Sequence, residues 1–190
     1  MKKKISLLLF LFSIISSYSQ IGDFIDGVVI TKELDTLNLK LQFLNETESI
    51  SYVKYLNEKG KIKKISSSKI KSYSRGNEVY KSLKLTKYTQ VLCKQIIKGR
   101  NLSLYRQGYD LNNFKNAFPI STPFSPSKKE YFYLENKYGV ILPVPKTKRS
   151  FRKKVSDFLI EHTLISGKIR GGELYNLREI TNLVNDINKN

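Results

Sequence analysis

Alternation of apolar and polar positions governs the chain from about residue 22 to 144. Leu37, Leu39, Leu41 and Phe43 alternate with Asn38, Lys40 and Gln42, which predicts a strand over 36–44. "FIDGVVIT" (24–31) reads as the strand before it, with "KELD" (32–35) as the turn between them. "SISYVKYL" (49–56) alternates without a clear buried face, and "NEKGK" (57–61) supplies a hairpin turn at Gly60. "KIKKIS" (61–66) and "KIKSYS" (69–74) follow, then the turn "RGN" (75–77). "EVYKSLKL" (78–85), "QVLCKQIIKG" (90–99) and "NLSLYRQ" (101–107) complete the run. Short strands repeating at about ten-residue spacing predict an all-β sandwich or a barrel-like module.

The pattern changes twice more. Residues 108–129 are rich in Asn, Ser and Pro, and Pro119, Pro123 and Pro126 exclude a regular element, so a long loop is expected. "EYFYLEN" (130–136) and "YGVILPV" (138–144) predict one further hairpin around Lys137. From Ser150 the period becomes 3.6. Phe151, Val155, Phe158, Leu159 and His162 share one helical face, with Ser150 as N-cap. Gly167, Gly171 and Gly172 are expected to break this helix. A second is expected from Leu177, with Asn176 and Glu179 forming a capping box and Leu177, Ile180, Leu183, Val184 and Ile187 as its apolar face. The expected fold class is α+β: a predominantly antiparallel β sandwich or barrel-like body with a C-terminal two-helix segment.

Charge and the first residues change the picture from fold to location. Lys2, Lys3 and Lys4 precede an apolar stretch from Ile5 to Ile15, and Ser17-Tyr18-Ser19 puts small residues before a cut at Gln20. This is the layout of a secretory signal peptide, and the apolar run falls short of the roughly 20 residues of a membrane span. The organisation expected is a signal at 1–19, a β-rich domain at 20–144 and a helical segment at 145–190. Export to the periplasm or the extracellular space follows, with peripheral association at the outer membrane and no transmembrane segment after cleavage. Without the three signal lysines the balance is 31 basic to 16 acidic residues, or +15. Such a charge draws the chain toward polyanions. No groove-reading motif is present, so sequence-specific nucleic-acid binding is not expected. Cys93 is the only cysteine, which excludes an intrachain disulfide.

Candidate chemistry is sparse. His162 is the only histidine, so a His-based metal cluster is excluded, and a nucleophilic triad would have to use this one residue. Its alternative is a half-buried structural histidine on the helix face. Cys93, inside "VLCKQII", is either an inert buried thiol or a nucleophile. "SGKIRGG" (166–172) fails the phosphate-loop pattern, because His162 and Ile169 stand where it needs Gly and Ser or Thr. Asp23, Asp26, Asp35 and Asp110 lie near turns and strand ends without the spacing of an acid/base pair. Tyr105, Tyr109, Phe114, Phe118, Phe124 and Tyr131-Phe132-Tyr133 gather around the long loop, as core filling or as a stacking surface. No catalytic residue, metal site or cofactor is assigned.

The densest feature is "KTKRSFRKK" (146–154), six cations in nine residues. Lys146, Lys148 and Arg149 are expected just before the helix, and Arg152, Lys153 and Lys154 in its first turn, where cations oppose the helix dipole. These six are the candidate contact for an anionic surface; the alternative is a solvated face.

A signal ending Tyr18-Ser19-Gln20, Asp35-Thr36 opening a strand, "EVYKS" (78–82), Leu104-Tyr105, Tyr131-Phe132-Tyr133-Leu134 and Lys168-Ile169 before an Asn-rich helix recur together elsewhere. In these features the chain resembles uncharacterised secreted or periplasmic proteins of Bacteroidetes-type bacteria. It departs in carrying Leu34 where such members have Gly before Asp-Thr. The resemblance implies export and a β-rich body with a C-terminal helical piece, and it transfers no catalytic residue. Three functions are consistent with these observations. They are a non-catalytic binding or assembly module of the cell envelope, a binder of lipopolysaccharide, anionic lipid or extracellular DNA, and a hydrolase of envelope polymers. The partner is an envelope protein or an anionic envelope component.

Overall fold

The computed structural model describes residues 24–42, 52–109, 129–173 and 179–189. The expected signal stretch, the residues 110–128 of the expected loop, and Asn176 and Leu177 at the start of the expected second helix lie outside them. Among the described residues ten strands occur: β1 (Phe24–Thr31), β2 (Thr36–Gln42), β3 (Tyr52–Leu56), β4 (Ile62–Ser66), β5 (Ile70–Arg75), β6 (Glu78–Lys84), β7 (Gln90–Ile97), β8 (Leu102–Tyr109), β9 (Lys129–Asn136) and β10 (Ile141–Pro143). They form one sheet in the order β10-β9-β8-β7-β6-β5-β1-β2-β3-β4, with antiparallel pairing throughout. The β-rich expectation holds. In place of the expected sandwich or barrel there is a single sheet that is not closed, with β10 and β4 at its edges.

One short connection dictates the shape of the β4 end. β4 and β5 are joined by a single 3-10 turn, Ser67–Lys69, although β3, β2 and β1 lie between them in the sheet. In a flat sheet four strand spacings would separate them by about 19 Å. Four residues reach at most about 14 Å. The sheet must therefore roll at this end. Rolling explains why Val29, Leu41, Val53, Ile70, Tyr73, Tyr80 and Leu92 form a buried cluster with no helix among its members. Within it the cross-strand partners Tyr73 and Tyr80 stack with ring centroids 4.5 Å apart.

Register continues the same face from Tyr80 through Lys94 and Arg106 to Phe132. There it is covered by three helices: α1 (Lys148–Phe158), α2 (Thr163–Gly171) and α3 (Ile180–Lys189). Leu102, Leu104 and Leu134 of the sheet pack in one cluster with Phe151, Val155 and Leu159, with Ile169, and with Ile180, Leu183, Val184 and Ile187. Each fully buried side chain of this kind is worth about 1.5–3 kcal/mol relative to exposure.

The helical segment corrects the sequence reading in three respects. Helix α1 begins at Lys148 with Thr147 as N-cap, three residues and so nearly one turn before the expected Ser150 cap. Apolar periodicity marks where packing starts, and a solvated first turn leaves no trace in it. The break lies at residues 159–162, and the chain re-enters a helix that runs through Gly167. Gly167 is exposed, so its cost of about 1 kcal/mol against Ala is offset by Ile169 and Ser166, both buried on the same helix. The helix ends at Gly172, whose φ of 81° is the left-handed cap glycine favours. The described helices thus number three where two are expected, and His162 caps α2 at the bend instead of lying on the face of α1.

Polar clamps fix the helices to the sheet. Asn188 of α3 accepts from the backbone N–H groups of Asn101 and Leu102, each at 3.0 Å, and donates to Leu102 O at 2.7 Å and Val184 O at 2.9 Å. Asn101 donates in return to Ile187 O at 3.2 Å. Gly99 permits this approach, since a Cβ there would collide with the Asn188 amide. At the other end, Glu161 in the α1–α2 bend meets Lys137 at 2.9 Å and the Tyr138 hydroxyl at 3.0 Å, both in the β9–β10 turn.

Two substitutions test this description by urea denaturation. Asn188→Ala leaves the loop amides without acceptors and is expected to cost about 2–4 kcal/mol, while Asn185→Ala on the solvent side of α3 stays within about 0.5 kcal/mol. Leu34, in the β1–β2 turn, has φ of 74° and is 63% exposed. Leu34→Gly is therefore expected to stabilise by about 1 kcal/mol, because a left-handed backbone penalises a Cβ.

Candidate functional site: a cationic groove between two helices

Helices α1 and α2 form an antiparallel hairpin. Ser166 Oγ donates to Ser156 O at 2.8 Å, and further along Arg170 reaches Ser156 Oγ and Asp157. Gly172 meets Arg152, so the C-terminus of α2 lies beside the second turn of α1. Between them runs a groove of about 640 Å³ lined by Lys148, Arg149, Arg152, Lys153, Asp157 and Arg170. Five cations surround one carboxylate.

The placement follows from helical geometry. Phe151, Val155 and Ser156 are buried, which turns Arg149, Lys153 and Asp157 outward at i, i+4 and i+8, with Lys148 and Arg152 beside them. Lys148 and Arg149 lie in the first turn of α1, not before it, and Arg152 and Lys153 in the second. That first turn carries no acid and its N-cap makes no side-chain hydrogen bond. Arg152 has its guanidinium laid against the backbone of Gly172, where a Cβ would displace it. Arg170 Nη2 donates to Asp157 Oδ1 at 2.6 Å. Among the described residues no carboxylate pairs with Lys148, Arg149, Arg152 or Lys153.

Four of the six cations singled out in the sequence thus share one groove. Lys146 is diverted to the sheet, its ammonium 4.1 Å from the Tyr131 ring centroid. Lys154 is exposed on α1 and does not line the groove. Arg170 and Asp157 escaped the sequence reading. Asp157 was legible as the next step of the 149–153 stripe; Arg170 becomes a neighbour only once the bend is placed at 159–162.

The other charged groups of the sheet are held in networks of their own. Arg75, 3% exposed, donates to Gln42 O at 3.1 Å and to Glu78 at 2.9 Å. Glu78 also accepts from the Tyr80 hydroxyl at 3.0 Å and from Lys94. Burial raises the Glu78 pKa, but the hydrogen bonds from Lys94, Arg75 and Tyr80 outweigh it and bring the carboxyl from 4.5 down to about 2. On the opposite face Glu135 holds Lys81 at 2.6 Å and the Tyr105 hydroxyl at 2.7 Å. Burial pushes the Cys93 thiol up to about 12, so it stays protonated and unreactive at neutral pH. Of the aromatics near the loop, Tyr105 and Tyr133 are buried and Phe132 packs against the helix cluster. The side chains of Tyr109, Phe114, Phe118 and Phe124 lie outside the described residues, as do Asp23 and Asp110. Asp26 is exposed and pairs with Lys40 at 3.2 Å.

No helix among the described residues is long and apolar enough to cross a membrane. In comparisons with known proteins, no family model, curated protein or solved structure matches the chain.

The Glu78 network gives a pH signature. Its folded pKa is depressed, so its contribution is complete above the unfolded value of 4.5 and is lost as pH falls toward about 2. At pH 7, Glu78→Gln is expected to cost about 2 kcal/mol, the scale of a charged hydrogen bond. Thermal melts from pH 7 to 2 should show the difference from the parent closing between 4.5 and 2; a difference constant with pH contradicts the assignment.

Proposed function

We propose that the chain is an exported, non-catalytic binding module whose α1–α2 groove holds an anionic component of the cell envelope. The observation that carries this reading is the convergence of five cations from two helices on one groove with a single acid. Mutual repulsion of exposed like charges contributes nothing to folding, and acids in the first turn of α1 would stabilise the helix better. An anion in the groove relieves both effects. Export is supported by the sequence from Lys2 to Gln20, and it makes phosphate-bearing lipid, lipopolysaccharide and acidic polymers the available ligands. A hydrolytic role is less well supported, since Glu78 and Glu135 are held in internal hydrogen bonds and Cys93 is protonated.

Site and net charge are separated by two triple variants of equal charge. Arg149→Gln, Arg152→Gln and Lys153→Gln remove three of the groove's five cations; Lys61→Gln, Lys63→Gln and Lys64→Gln remove the same charge at the β4 end of the sheet. With about 1 kcal/mol per cation at an anionic surface, the groove triple should lose roughly 100-fold in retention on anionic vesicles or lipopolysaccharide at low salt. The edge triple should lose far less. Raising salt from 0.1 to 1 M, which shortens the Debye length from about 10 to about 3 Å, should release the parent. Equal losses in both triples would reduce the effect to net charge and contradict the reading.

A further inference from the structure

The groove contains its own competitor. Arg170 Nη2 binds Asp157 Oδ1 at 2.6 Å, while Arg170 Nε sits 3.4 Å from Ser156 Oγ. The two charged side chains are 59% and 54% exposed. An ion pair so open to water contributes at most about 1 kcal/mol, so it exchanges readily. Ser156 itself is fully buried and is fixed by bonds to Lys153 O and from Ser166. Arg170 therefore keeps one anchor when Asp157 is displaced.

Resting on the anion-binding reading, we infer that Asp157 occupies Arg170 in place of a ligand phosphate and makes the groove selective for phosphomonoester or inorganic phosphate over carboxylates. A carboxylate entering the groove merely replaces one carboxylate by another at Arg170, and meets the charge of Asp157 as it does so. A phosphate group brings nearly two negative charges and three acceptor oxygens. It can bridge the forked donors of Arg149 or Arg152 on α1 and Arg170 on α2, a geometry that guanidinium groups match in bidentate fashion. The gain from that bridge exceeds the loss of one exposed pair. Arg152 is pre-positioned for it by its seat against Gly172.

The test compares the parent with Asp157→Asn, using calorimetric titration with inorganic phosphate and with acetate at matched ionic strength, and flotation with vesicles carrying phosphatidic acid. Asp157 is exposed, so both proteins should melt alike; Asp157→Ser is expected to repeat the result should Asn introduce a new contact. The parent should prefer phosphate to acetate. Removing a unit charge about 4 Å away in water, about 1 kcal/mol, should tighten phosphate about fivefold. Acetate should gain more, since it acquires Arg170 as well, and the preference should narrow. A gain on vesicles larger than on free phosphate assigns the group to a lipid headgroup; equal gains assign it to a soluble phosphate, and either supports the inference. If the parent binds and Asp157→Asn gains nothing, the competitor role is overturned while the anion-binding reading stands. If neither protein binds any of the three probes, both fall.

Discussion

The groove depends on the burial of Leu102, Leu104 and Leu134 beneath three helices. Those side chains leave the sheet on one face, and that face can be removed from water only if α1, α2 and α3 dock together. The last helix has the decisive part. Its four buried residues fill the cluster, and Asn188 ties it to the β7–β8 connection by bonds that satisfy both ends of its amide. With the sheet side of α1 and α2 so occupied, their cations are left on the outward side. The groove is the solvent face of a packing solution.

Charges in this molecule divide into two kinds. Where they are half-buried or buried in the sheet they are paired: Arg75 and Lys94 with Glu78, Lys81 with Glu135. A buried ion without such a partner would be strongly destabilising. On the helices the balance is left open, with five cations to one acid in the groove. Water screens that imbalance well enough to fold the chain and leaves an attractive potential for an incoming anion. The same division explains why the sheet networks offer little chemistry. Their charged groups are already committed to one another.

Local elements were legible in the sequence, but the way they close on each other was not. "FIDGVVIT" coincides with β1, and the hairpins at Gly60 and Lys137 form where turn residues predict them. Period two identifies strands and faces. It does not say whether ten strands divide into two sheets or stay in one. The information lies in the short link Ser67–Lys69, whose consequence emerges only once β5 is known to pair with β1. In the helical segment Gly167 misled, because glycine as a helix breaker and glycine on a solvated face look alike in a single chain. That misplacement concealed Arg170, and with it the contribution of α2 to the groove. The basic stretch 146–154 was visible from composition, but which of its members converge depends on Phe151 and Val155 choosing the buried side.

The most direct measurement of the central claim is amide chemical-shift mapping of residues 20–190 titrated with inorganic pyrophosphate at low salt. If docking of the helices assembles one preferred anion site, the largest saturable changes will fall on residues 148–157 and on Arg170, with the lysines of β3 and β4 little affected. Changes of equal size at Lys54, Lys61, Lys63 and Lys64 would contradict it, and would mean that the chain attracts anions through its overall charge alone.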